Sequence, residues 1–155
     1  MHPSRKVSFK KEKETLLITL YARALQSRSR HPILHDPWAA EAIQRIDYDF
    51  AKFKAGRRSS LLIAIRASQP DAWTRDFLAA HPDATELHLG CALDARYFRT
   101  APPATVRWFE VDYPDVIDLR RDLYSETEAY RMIGTRDVSG SGLAGDAVFA
   151  LSVRK

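Results

Sequence analysis

The chain is short of cysteine, glycine, long apolar runs and net charge. The lone Cys91 excludes an internal disulfide framework and a cysteine-built zinc site, and it suits a reducing cytoplasm. No apolar run approaches the roughly 18 residues of a membrane span, and the N-terminus lacks the apolar core of a secretion signal. We therefore expect a cytoplasmic protein with no membrane partner. Charge is nearly balanced, with 24 Lys plus Arg against 20 Asp plus Glu. Its one local excess is Arg5, Lys6, Lys10, Lys11 and Lys13. This reads as a solvated segment leading into a helix, so no nucleic-acid partner is expected. What is present, 45% hydrophobic residues in 155, is enough for one domain with a real core.

From Glu14 the positions Leu16, Leu17, Leu20, Tyr21 and Ala24 recur at three- and four-residue spacing, predicting an amphipathic helix to about Gln26. "SRSRHPILHDPW" breaks it. Asp36 and Pro37 then supply an N-cap and a first-turn proline for a second helix carrying Ala39, Ile43 and Ile46. "DYDFAKFKAGRR" reads as loop. A third helix is expected over about Ser59 to Ser68 with Leu61, Leu62 and Ile65 on its apolar side, kinked or restarted at Pro70. Trp73 and Phe77, one turn apart, are expected in the core.

"TELHLG" reads as a strand opening into a glycine turn, "CALDARYFR" as a short helix, "VRWFEVD" as a strand and "DVIDLRRDLYSE" as a helix with Val116, Leu119 and Leu123 on one side. Strand, helix, strand and helix in succession form a βαβα unit, so the fold class is α/β with a doubly wound parallel sheet. The closing segment is glycine-punctuated, and its apolar run "AVFALSV" reads as a third strand or a disordered tail.

A βα turn of small residues lets a ligand approach the backbone, and the helix start that follows favours an anionic group. Gly90 occupies that turn. Asp112, 22 residues on, or Glu110 on the same strand, can accept hydrogen bonds from ribose hydroxyls. The dinucleotide pattern expects such an acid about 20 residues after the turn. That pattern needs three glycines where "GCALDA" has one, so NAD and FAD are disfavoured. An ordinary βαβ turn with a capping acid remains the alternative. A second alternative makes Cys91 a nucleophile on a strand-to-helix elbow, although Leu93 is bulky for the position two residues beyond it.

Taken together, "EKETLLITLYARAL", "HPILHDPWAAEAI", "IDYDF", "TRDFLAAHPDATELHLGCALDAR" and "WFEVDYPDVIDLR" closely resemble the bacterial leucine carboxyl methyltransferase-like family, which includes tetracenomycin-type polyketide O-methyltransferases. The resemblance covers about residues 7 to 135. It implies a Rossmann-like class I methyltransferase fold with S-adenosylmethionine as cofactor, acting on a carboxylate or hydroxyl oxygen of a small-molecule acceptor. By position, it makes Gly90 the glycine of the first cofactor motif, Asp112 the ribose acid, Arg66 the partner of the cofactor's carboxylate, and Asp94 a loop-orienting or cofactor-contacting acid. Arg23 and Arg96 have weaker support as contacts. No residue is identified as a catalytic base, and His31, His35, His81 and His88 read as structural or surface side chains.

The sequence departs from that family in two ways. Ala92 stands where the pattern usually has a second glycine. The likeness ends near Thr135, so residues 1–135 are read as the N-terminal helices and the first half of the methyltransferase domain, and residues 136–155 as a divergent tail. An incomplete sheet leaves an open edge able to support self-association. The competing function is a truncated methyltransferase without independent activity.

Overall fold

The computed structural model describes residues 5–6, 11–53 and 56–137. Its first long helix, α1 (Lys11–Ser27), buries Leu17, Leu20 and Ala24 of the expected stripe. The loop after it is tied by side chains. Gln26 Oε1 accepts the backbone N–H groups of Ile33 and Leu34 at 3.1 and 3.1 Å, and Ser27 Oγ accepts that of Asp36 at 2.8 Å. Asp36 then caps α2 (Pro37–Arg45), its Oδ1 accepting the Ala39 N–H at 2.9 Å, with Pro37 in the first turn. Ile46 leaves the helix and enters strand β2 (Ile46–Asp47), parallel to β1 (Arg5–Lys6). The predicted loop that follows contains a 3₁₀ turn, Phe50–Lys52, where Tyr21, Tyr48, Phe50 and Phe53 gather their rings. Tyr21 stacks on Phe50 at 5.4 Å between centroids and Tyr48 on Phe53 at 5.3 Å.

Helix α3 runs unbroken from Arg57 to Ala80, straight through Pro70. The helix is therefore not restarted at Pro70, and Ala67 and Asp71 on either side of the proline are buried. The buried face is also not the one expected. Ser60, Ala64, Ala67, Asp71 and Leu78 point inward, while Leu61, Leu62 and Ile65 are exposed, as are Trp73 at 65% and Phe77 at 49%. Helical period was read correctly but the face was not, because small side chains on the inner stripe let α3 lie close against α1.

The described chain divides into two compact units, one formed by residues up to 84 together with 93–106, the other by 85–92 with the residues from 107 onward. The first contains α1, α2, α3 and the short α4 (Arg96–Thr100). The second is a three-stranded parallel sheet of β3 (Thr85–Leu89), β4 (Arg107–Asp112) and β5 (Tyr130–Gly134), in that order. This is an α/β architecture, the first part of a Rossmann-like doubly wound sheet. Among the described residues β3 and β5 each pair with β4 alone, so both edges of this sheet are unpaired. Helix α5 (Pro114–Leu123) connects β4 to β5 and packs on β5 at close range. A Cβ on Gly134 would come within 2.8 Å of Pro114 Cα. Strand β5 was not anticipated, and "AVFALSV" lies outside the described residues.

Candidate functional site

The parallel register sets His88 opposite Glu110 and Leu89 opposite Val111, so the turn after β3 meets the end of β4 at their shared C-terminal side. Two left-handed residues shape that turn, Gly90 at φ +64° and Ala92 at φ +48°. The N–H groups of Gly90 and Cys91 both donate to the Val111 carbonyl, at 2.8 and 3.3 Å. The next N–H, of Ala92, donates to Asp112 Oδ2 at 2.8 Å, and Asp112 Oδ1 accepts the Tyr113 N–H at 2.7 Å. Gly90 and Asp112 are thus brought together as the spacing predicted.

This arrangement has room for a ligand. A Cβ built on Gly90 would meet nothing within 4 Å, so the turn faces open space. Asp112 is half-buried, and each of its oxygens, having accepted one backbone bond, keeps a lone pair for an incoming hydroxyl donor. The residues present therefore fit the diol end of a nucleoside.

Glu110, the other candidate acid, serves a different purpose. It is fully buried, with Oε1 at 3.1 Å from Arg120 Nη2 and Oε2 at 2.8 Å from His88 Nδ1. Arg120 was missed by sequence reasoning. It lies on the buried side of α5 with Val116 and Leu123, where its four-residue spacing from Val116 and the need of a mid-strand glutamate for a cation were the available signals. Burial, only partly offset by the Arg120 guanidinium, pushes the Cys91 thiol far above its ordinary range. A thiol that stays protonated at neutral pH is a poor nucleophile, and the elbow alternative loses its chemistry.

The other proposed residues belong to the first unit. Arg66 is exposed on α3 and pairs with no acid among the described residues. Asp94 is engaged by arginines, its Oδ1 at 2.7 Å from Arg99 Nη1 and its Oδ2 at 3.4 Å from Arg96 Nη2. Both belong to a buried lattice. Arg99 forks onto Asp71 at 2.7 and 2.9 Å and donates to Asp36 at 2.9 Å, while Arg23 donates to Asp36 at 3.2 Å and to the Leu93 carbonyl at 2.8 Å. Arg23 and Arg96 are thus occupied within their own unit. The same unit holds a largely apolar cleft of about 470 Å³ between Leu25, Gln26 and Leu61, with Arg30 and His31 in its lining. Among the described residues no helix is long and apolar enough to cross a membrane, and no cluster of side chains could hold a metal ion.

Comparison with known proteins adds the lineage. Residues 16–138 match a family model described as leucine carboxyl methyltransferase. The tetracenomycin polyketide synthesis O-methyltransferase of Streptomyces glaucescens is 51% identical over 121 residues, 78% of this chain and 45% of that protein. An S-adenosyl-L-methionine-dependent methyltransferase of Gibberella zeae is 38% identical over 130 residues, again 78% of this chain and 44% of the relative. The chain therefore spans less than half the length of these relatives.

Proposed function

This chain belongs to the leucine carboxyl methyltransferase family, and we propose that its Gly90 turn and Asp112 form the nucleoside end of an S-adenosylmethionine site for methyl transfer to a small-molecule oxygen. The observation that carries this reading is the convergence of the two, fixed by the 2.8 Å bond from Ala92 N–H to Asp112. On this reading Gly90 leaves space for the cofactor to lie against the backbone, and Asp112 accepts its ribose hydroxyls. Arg66, on α3, is the fork for its carboxylate, a role suited to a planar guanidinium. Asp94 orients the loop between Ala92 and α4 through its arginine partners. When bound, the cofactor supplies a methyl group already activated on a sulfonium. The chain's own contribution is to hold it in place for in-line attack by the acceptor oxygen. A carboxylate acceptor needs no general base, and none is assigned.

One observation favours a second reading. The chain spans 45% and 44% of the two relatives, and the second reading takes this segment as a methyltransferase fragment without independent activity; to it we add, as proposals, association through the β3 edge, a cytoplasmic location and a divergent tail over residues 136–155. Titration calorimetry of the purified chain with S-adenosylmethionine and its demethylated product tests both readings. Binding abolished by Asp112→Ala and by Arg66→Ala supports the cofactor site. Binding without methyl transfer to polyketide-like phenols or carboxylic acids supports the fragment, and no heat from a folded sample refutes the cofactor site.

A further inference from the structure

We propose that Arg120 is a positioning residue that clamps the Gly90 turn in its left-handed shape and thereby aims Asp112. The inference rests on reading that turn as the cofactor site. Arg120 is fully buried on α5, and its guanidinium serves three other segments of the chain. Nη1 donates to the Ala92 carbonyl at 2.9 Å, while Nη2 donates to Tyr130 Oη on β5 at 2.9 Å and lies 3.1 Å from Glu110 Oε1 on β4. His88, on β3, occupies the other oxygen of Glu110 at 2.8 Å.

A pair with Glu110 alone would neutralise the buried charge. The extra arm goes to a residue at φ +48°, a conformation alanine does not adopt without support. Ala92 is gripped on both sides of its Cα. The peptide before it donates to Asp112 and the peptide after it accepts from Arg120, so both of its dihedrals are set. Releasing the carbonyl frees the residue to leave the left-handed region, and the N–H that orients Asp112 leaves with it. A buried guanidinium used in this way transmits the geometry of β4, β5 and α5 to the ligand slot.

Arg120→Lys tests the clamp, because an ammonium keeps the charge beside Glu110 but cannot present a planar fork to two further acceptors. The readouts are the backbone amide signals of residues 90–92 by nuclear magnetic resonance and the affinity for S-adenosylhomocysteine by calorimetry, both well below the melting temperature. The expected result is a shift and faster exchange of the Ala92 amide, with distant amides unmoved, and binding weakened roughly tenfold, as for loss of one charge-assisted bond. A role in stability alone would lower the melting temperature and leave both readouts in place. Unchanged amides at 90–92, or unchanged affinity in the folded variant, overturns the clamp. Should Arg120→Lys fail to fold, the paired variant Glu110→Gln with Arg120→Met removes both charges together and is read in the same way. If the unaltered chain binds no S-adenosylhomocysteine, the cofactor reading fails, and the amides alone decide whether Arg120 holds the turn.

Discussion

The turn after β3 places glycine and alanine in the same unusual region of backbone space, and this permits a paired test of opposite sign. Gly90 has φ +64° and Ala92 φ +48°. A side chain with a Cβ costs about 1–2 kcal/mol in the left-handed region, while replacing glycine by alanine returns about 0.4–1 kcal/mol by restricting the unfolded chain. Gly90→Ala should therefore destabilise by about 1 kcal/mol, and Ala92→Gly should stabilise by a similar amount. No clash enters the first figure, since a Cβ at position 90 would meet nothing within 4 Å. Urea unfolding is the assay. With a slope of about 1–3 kcal/mol per molar for a small protein, the midpoints should move by about 0.3–1 M in opposite directions at constant slope. Midpoints moving together, or a lower midpoint for Ala92→Gly, would refute the strain argument. Gly90→Ala carries a second signature, because its methyl group would occupy the open space assigned to the cofactor. Its loss of S-adenosylhomocysteine affinity should exceed that of a distant mutation of equal stability cost.

Three further outcomes are expected. Gly134→Ala drives a methyl to 2.8 Å from the backbone of Pro114, which cannot swing aside as a side-chain tip would; a loss of about 1–3 kcal/mol in urea unfolding is expected. Arg99→Met leaves the buried Asp36 and Asp71, and with them Asp94, without a shared guanidinium. A loss of about 3–5 kcal/mol is expected, and a loss below about 1 kcal/mol would show that the lattice is not electrostatically tight. Burial pushes the Cys91 thiol and the Tyr130 phenol above their ordinary values of 9.0 and 10.0. The unfolded chain therefore releases protons that the folded chain keeps, so stability is full below about pH 9 and falls as pH rises from there. Unfolding midpoints measured from pH 8 to 11 should show that slope, and it should flatten in the Cys91→Ala, Tyr130→Phe double variant.

Much of this was legible from periodicity and capping. The Asp36–Pro37 start of α2 is stated outright by the residue types, and the stripe of α1 by its spacing. The acid spacing from Gly90 to Asp112 survives because parallel pairing of β3 with β4 leaves little freedom in where the two can meet. The face of α3 was not legible, because hydrophobic size points outward to Leu62, Ile65, Trp73 and Phe77. Ala64 and Ala67 instead cluster with Leu34 of the loop after α1, a long-range contact that no local pattern carries. Strand β5 was missed for a related reason. Tyr130, Met132 and Ile133 are buried while Arg131 is exposed, which breaks the alternation expected of a strand with one wet face. The arginine lattice was missed because Arg23, Asp36, Asp71 and Arg99 are far apart in sequence, and an isolated charge reads as a solvent contact until its partner is known.

The position of these contacts bears on what less than half of a relative's length can do. The bonds described for the Gly90–Asp112 slot come from β3, β4, β5, α5 and the turns joining them: Val111, Asp112 and Arg120 hold the turn, Glu110 and Tyr130 hold Arg120, and His88 lies against the other oxygen of Glu110. All of these residues lie within the segment that matches the family. The bonds that shape the slot thus lie within the second unit. Methyl transfer asks for more, since the acceptor oxygen must be held in line with the bond to be broken. On the reading proposed above, cofactor recognition rests on a turn, an acid and a buried arginine, and turnover on whatever brings the acceptor to them.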